Sequence, residues 1–235
     1  MGALNKKRKN NLYMKKLISP WKLKNLKKTG KNCMGCNLPI TNPQNLISEI
    51  YFCQSCYKEH LNELRSAYNE VEPDPEDMNE ILPNIVLGSQ IGAKCLDKMK
   101  KIGITNILMV GYLLFDYFPK FFEYKCIEIN DKIEEDILPI FIPCIDYLDS
   151  NKKTFVHCSM GKSRSASVVI AYVMFKNKIN YENAFNFVKS KRDCILPNSG
   201  FVTQLNEFDE ILVVCQYNKT FIDFSQKMLF MPNDF

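Results

Sequence analysis

The chain has 235 residues, 46% hydrophobic and 24% charged, so it can bury a real core and wholesale disorder is excluded. No apolar run approaches the roughly 18–20 residues of a membrane span, and the basic N-terminus lacks the apolar stretch of a secretory signal. The net charge of +5 is uneven, because residues 1–30 hold ten Lys or Arg and no acid, leaving 21 basic against 26 acidic residues elsewhere. Basicity is therefore a property of an N-terminal arm, and the remaining body is not built for nucleic acid.

The arm, residues 1–30, carries Lys6-Lys7-Arg8-Lys9, Lys15-Lys16 and four further Lys up to Lys28, with Leu12, Leu17, Ile18 and Trp21 between them. Such a segment suits a solvated arm, a nuclear-import or partner-docking signal, or membrane attachment. Met1-Gly2 would permit N-myristoylation, which with a polybasic arm makes a two-signal anchor, although Lys6 stands where Ser or Thr is preferred. Ten cysteines without a secretory signal read as metal ligands, a nucleophile and core thiols in the reducing cytoplasm or nucleus.

Residues 31–70 read as a small zinc-stabilised module. Cys33-x2-Cys36 and Cys53-x2-Cys56 are separated by 16 residues, a spacing that lets four thiolates close a tetrahedral site around one structural zinc. Gly35 eases the first knuckle, and Pro39, Asn42 and Pro43 fit the loop between the pairs. His60 could replace a cysteine ligand, and four unmetallated thiols are the alternative. A segment so poor in core residues would fold only on binding metal, and could then serve as a partner surface. A helix is expected over 59–70. Pro73, Pro75 and their acidic neighbours make 71–78 a linker.

The domain over 79–216 begins at 81–89 with a strand leaving a turn. A helix at 95–102 ends at Gly103, and strands follow at 106–110 and 124–129. A helix over 134–148 is expected, split or kinked at Pro139 or Pro143. A strand at 154–157 leads to helices at 166–175, 181–191 and 201–214, and 217–235 form a tail. The order β-α-β-β-α-β-α-α-α predicts an α/β fold with a mostly parallel central sheet flanked by helices.

Between the strand at 154–157 and the helix at 166–175 stands His157-Cys158-Ser159-Met160-Gly161-Lys162-Ser163-Arg164-Ser165. A turn in this position can aim the backbone N–H groups of residues 159–164 at one point, and the helix start adds its positive dipole end. That field favours the Cys158 thiolate, and Arg164 offers a planar fork for two phosphate oxygens. A merely buried cysteine would leave His157, Gly161 and Arg164 unexplained at their spacings.

These residues resemble the signature of the cysteine-dependent protein phosphatases, and the Ser163-Arg164-Ser165-Ala166 ending is similar to the dual-specificity branch. Residues 81–89, the run Ile102-Gly103-Ile104-Thr105-Asn106-Ile107-Leu108, and Leu196-Pro197-Asn198 to Leu205 resemble further segments of that domain. The resemblance covers about 79–215. It departs at Met109, where the family has Asn, and at Pro143, inside a helix that normally runs unbroken. The Cys-rich segment followed by a Gly161-Lys162-Ser163-Arg164-Ser165 loop is similar to a small plant group of atypical members.

The resemblance implies a cofactor-free hydrolase in which Cys158 attacks phosphorus and Arg164 with the loop amides holds the phosphoryl oxygens. Ser165 would donate to the sulfur as it leaves, and His157 would support the loop without supplying the proton. The general acid is expected on a loop about thirty residues before the cysteine. Asp131 lies 27 residues before it, with Asp136 in reserve and Glu134 and Glu135 deeper in the expected helix. An acid here is also a normal choice for a helix N-terminus. Lys162 is either a solvated side chain or a further cation for a multiply phosphorylated substrate. The expected substrates are phosphotyrosine and phosphoserine/phosphothreonine in a phosphoprotein, a MAP kinase among them. The rivals are a phosphoinositide or RNA 5′-phosphatase, whose pockets usually carry more cations, and a phosphate-binding scaffold, which the presence of Cys158 disfavours.

Overall fold

The computed structural model describes residues 70–150 and 152–217, together with 46, 47, 50, 51, 62, 63 and 66. The chain divides into two compact units, 1–72 and 73–235. In the first, β1 (Leu46–Ile47) pairs antiparallel with β2 (Ile50–Tyr51). The expected zinc ligands Cys33, Cys36, Cys53 and Cys56, and the alternative His60, lie outside the described residues.

The second unit runs β3 (Met78–Leu82), β4 (Ile85–Ser89), α1 (Leu96–Lys101), β5 (Asn106–Val110), β6 (Glu123–Ile127), α2 (Leu138–Leu148), β7 (Thr154–Cys158), α3 (Arg164–Asn177), α4 (Tyr181–Lys191) and α5 (Ser199–Tyr217). The strands order as β3-β4-β7-β5-β6, and only the β3–β4 pair is antiparallel. The expected α/β fold with a mostly parallel sheet is what forms. None of the described helices is long and apolar enough to cross a membrane.

Three local expectations need correction. The strand expected to leave a turn within 81–89 is the second arm of a hairpin, whose first arm β3 precedes the turn at Pro83-Asn84, where proline cannot donate to a ladder. The helix expected from 134 starts at Leu138. Pro139 falls in its first turn, where no amide hydrogen is needed, and Gln204 Oε1 accepts the N–H groups of Ile137 and Leu138 at 2.7 and 2.9 Å. Pro143 does not split it. The helix continues to Leu148, and the Pro143 carbonyl accepts from Lys125 Nζ at 3.1 Å. Elsewhere the ends shift by a few residues. Gly103 does stop α1, at φ +80° with its N–H on Lys100 O at 3.1 Å.

Strand alternation divides the core between the two sheet faces. Leu87, Leu108, Val110 and Val156 pack with α2, α3, α4 and α5. Val86, Ile107, Met109 and Phe155 pack with Ala93, Met99 and Phe122. Met109 is thus an apolar core residue. Every residue of α3 from Ser165 to Met174 is buried, so this helix is enclosed on all sides. Between β4 and β5, β7 is buried along its whole length, which sets Cys158 at its carboxyl end over the middle of the sheet. Crevices at strand carboxyl ends are where open α/β sheets bind ligands.

Candidate active site

From β7 the chain turns through Ser159, Met160, Gly161, Lys162 and Ser163 into α3. What orients this loop is the fate of its carbonyls. Cys158 O lies 3.4 Å from His157 Nδ1, and Ser159 O accepts from Gln90 N at 3.4 Å. Met160 O and Gly161 O accept from Arg192 at 3.3 and 2.9 Å, and Lys162 O accepts from Leu196 N at 2.9 Å. Ser163 O accepts from Ser167 N and Oγ at 2.8 and 2.9 Å. A peptide plane holds its C=O and N–H on opposite sides, so six outward carbonyls turn the following N–H groups inward.

Inside the turn, Gly161 N and Ser165 Oγ donate to Cys158 Sγ at 3.2 and 3.1 Å. Burial pushes the Cys158 thiol up, but Arg164, the Ser165 hydroxyl and the amides of Ser165 and Met160 outweigh it, and the thiol lies below its ordinary value. Gly161 sits at φ +65°, and a Cβ there would stand 2.3 Å from Gly88 O and 2.6 Å from Arg192 Nη2. Only glycine fits this turn.

Arg164 reaches Ser159 Oγ through Nη2 at 3.3 Å and Ile129 O through Nη1 at 3.5 Å. Its Nε has no hydrogen-bond partner and lies 3.7 Å from Asp131 Oδ2. Gly111 leaves room for this guanidinium, since a Cβ there would fall 2.1 Å from Nη1. Asp131 comes to the loop as its spacing suggested. Ser163 Oγ and Asn198 Nδ2 donate to its Oδ1 at 2.6 and 2.9 Å. Among the described residues, no hydrogen bond or ion pair joins Asp136, Glu134 or Glu135 to residues 158–164.

His157 is fully buried and stacks on Phe155 with centroids 5.4 Å apart. A carbonyl only accepts, so the proton sits on Nδ1, facing Cys158 O. Burial pushes this imidazole down to about 4, and the Arg164 charge adds to the effect against the pull of the Cys158 carbonyl. His157 is therefore neutral at pH 7 and braces the loop from behind. Lys162 is half-buried and tied to Leu196 through its backbone.

The most heavily bonded residue of the site carries no mark in the sequence. Arg192 is 5% exposed. Besides the two loop carbonyls it donates to Asn79 Oδ1 at 2.7 Å and pairs with Asp77 Oδ1 at 2.6 Å. Asp77 Oδ2 in turn accepts from the Ser89 hydroxyl, and Ser89 Oγ accepts from Ile91 N at 3.0 Å. Along the chain Arg192 is one more cation after Lys189 and Lys191 at a helix end. Asn198, on Asp131, and Gly111, against Arg164, are likewise contacts of the site that carry no mark of it in the sequence, although Asn198 lies within the family-like run Leu196-Pro197-Asn198.

Among the described residues no group of three or more His, Cys, Asp or Glu could hold a metal ion.

The family model of the dual specificity phosphatase catalytic domain matches residues 85–211, more than half of the chain. Human dual specificity protein phosphatase 4 is 40% identical over 134 residues, 55% of this chain and 34% of that protein. Dual specificity protein phosphatase 1B of Arabidopsis thaliana is 36% identical over 139 residues, 57% of this chain and 83% of that protein. The crystal structure of human tyrosine phosphatase-like serine/threonine/tyrosine-interacting protein superposes with a TM-score of 0.55 at 35% identity, over 58% of this chain and 97% of that one. The chain spans about a third of the length of the vertebrate relatives it matches. On the strength of the matched residues and of the fold around Cys158, the chain belongs to the dual specificity phosphatase family.

Proposed function

We propose that this protein hydrolyses phosphotyrosine and phosphoserine/phosphothreonine in phosphoproteins through a phosphocysteine intermediate. The observation that carries this reading is the Cys158 sulfur, which receives an N–H and an O–H inside a ring of inward amides. In the first step the thiolate attacks phosphorus, the ester P–O bond breaks, and Asp131 gives its proton to the leaving oxygen. Arg164 and the amides of Ser159, Met160, Gly161, Lys162 and Ser163 hold the equatorial oxygens, where transition-state charge collects. In the second step water attacks the phosphocysteine, Asp131 takes the water proton, and Ser165 O–H supports the departing thiolate. His157 acts through the Cys158 carbonyl and transfers no proton.

The resemblance of the domain supports a MAP kinase as the phosphoprotein. We further infer that Cys33, Cys36, Cys53 and Cys56 hold one structural zinc, which the paired spacing supports, and that this module docks a protein partner. The domains proposed are the arm 1–30, the zinc module 31–70, the linker 71–78, the phosphatase domain 79–216 and the tail 217–235. The composition supports residence in the cytoplasm or nucleus, with Gly2 acylation and the basic arm as a route to membranes.

The test is hydrolysis of an aryl phosphate by wild type and by Cys158→Ser, with tungstate binding measured on both. Turnover in wild type and none in Cys158→Ser, with tungstate bound by both, is expected. Tungstate binding without turnover in wild type would favour the scaffold, and turnover in Cys158→Ser would refute the covalent route. Comparing phosphopeptides with inositol lipids and triphosphate RNA separates the enzyme classes.

A further inference from the structure

We infer that the mouth of this site selects phosphopeptides carrying an aliphatic residue next to the phosphorylated one, a specificity set by Ile133 and Leu196; this rests on the phosphatase reading above. These are two of the five large hydrophobic side chains left exposed among the described residues, at 59% and 71%. A scattered exposed aliphatic residue is ordinary. These two are not scattered, because Leu196 is tied by its backbone to the phosphate loop and Ile133 follows Asp131 by two residues.

Leu196 N donates to Lys162 O at 2.9 Å, so this side chain stands one hydrogen bond away from the loop that cups the phosphate. Ile133 follows Asp131 by two residues. Its backbone lies against Gly200, where a Cβ would come within 1.9 Å of Ile133 O. Asn198, two residues after Leu196, donates to Asp131 Oδ1 at 2.9 Å and to Lys132 O at 3.2 Å. One asparagine thus links the loop of Ile133 to the loop of Leu196, so both exposed aliphatic side chains stand on segments tied to the residues around the phosphate loop.

Charge narrows the occupant. Beside Ile133 run Asp131, Glu134, Glu135 and Asp136, against the cations Lys132 and Lys162. An acidic rim repels the additional phosphates of an inositol lipid or a nucleic acid, whereas it tolerates a peptide whose one phosphate sits in the Arg164 pocket. An aliphatic side chain on that peptide would cover Ile133 and Leu196. Pockets of this kind discriminate by about tenfold, since the gain is the burial of a few methylene groups.

The experiment compares two phosphotyrosine peptides that differ only in Leu or Asn on each side of the phosphotyrosine. The readout is the ratio of their kcat/KM values, in which any change common to both cancels. Wild type should favour the Leu peptide about tenfold, and Ile133→Asn with Leu196→Asn should bring the ratio close to one. Val213→Asn, which removes an exposed aliphatic on α5, should keep the wild-type ratio. A ratio near one in wild type, with the aryl phosphate hydrolysed normally, overturns the inference and leaves the phosphatase reading standing. A tenfold ratio that survives in the double variant also overturns it. Failure on the aryl phosphate as well would overturn the phosphatase reading itself.

Discussion

Two arginines serve the loop from Cys158 to Arg164, one from inside and one from outside. Every nitrogen of the Arg192 guanidinium is hydrogen-bonded, the group being divided among Asp77, Asn79 and the carbonyls of Met160 and Gly161. The same is not true of Arg164. Its contacts to Ser159 Oγ and Ile129 O are long, and its Nε is without a hydrogen bond. The difference teaches how a rigid anion site is made. The outer arginine fixes the carbonyls so that the amides face in, and the inner one keeps donors unmatched until a phosphate brings its oxygens. An arginine is available for a ligand only when its own chain has not already supplied the acceptors.

The comparison breaks most sharply on paired substitutions. Arg192→Met should lower stability by about 2–4 kcal/mol, because it leaves the half-buried Asp77 carboxylate and the carbonyls of Met160 and Gly161 without their partner. Chemical denaturation reads this directly. Arg164→Lys should do the reverse. The fold should keep its midpoint, while kcat falls by about 10²–10³, because a point ammonium cannot replace a bidentate fork in the transition state. A stable Arg192→Met protein, or a normally active Arg164→Lys enzyme, would mean the division of labour is misassigned. Asp77 also bears on truncation. It lies in the stretch read as a linker, so a shortened chain that starts at Asn79 lacks the carboxylate that holds Arg192 and should lose activity whatever the zinc module does.

The acid limb of stability sharpens the same contrast from the rear of the loop. The unfolded chain protonates His157 near its ordinary 6.5, while the folded protein refuses that proton until about 4. Stability should therefore fall as pH drops through this window, by about 3 kcal/mol once both states are protonated, and be fully present above pH 6.5. Urea midpoints of wild type and His157→Gln between pH 7 and 4.5 check it. The wild type should lose more than the variant, whose amide does not titrate. Parallel pH curves would rule out the buried neutral imidazole.

Much of this was legible in the chain, and the part that was not has a common cause. The strand–turn–helix around Cys158 is written in nine contiguous residues, and the apolar periods on both sides placed β5 and α4 to the residue. Pro83-Asn84 marked the turn within 81–89 but not the strand Met78–Leu82 that pairs across it, because that strand begins in the stretch read as a linker. The helix expected from 134 started late because its first amides are met by Gln204, sixty-six residues beyond Leu138. Arg192 and Asp77 are separated by 115 positions. Nothing local distinguishes a strut of that kind from an ordinary surface charge. The zinc spacing is the opposite case. It is entirely local, and its residues lie outside those the structure describes.

The smallest expected effects concern the acid. Asp131→Asn should slow a phosphopeptide by about 10² and an aryl phosphate with an acidic leaving group much less, since only the poor leaving group needs the proton. Asn198 should modulate that effect. Its Nδ2 tethers Asp131 and Lys132 O, its N–H donates to Ser163 Oγ at 3.1 Å, and its Oδ1 caps α5 by accepting from Phe201 N at 2.9 Å. Asn198→Ala removes the tether and the cap together. Asn198→Asp keeps an acceptor for the cap but replaces the donor to Asp131 with a like charge. The alanine variant should lose about 1 kcal/mol of stability and up to about tenfold in phosphopeptide turnover. The aspartate variant should keep the stability and still lose the turnover, with the loss again larger for the poor leaving group. If both variants turn over phosphopeptide and aryl phosphate in the wild-type ratio, Asn198 is a helix cap and nothing more, and Ser163 alone holds the acid.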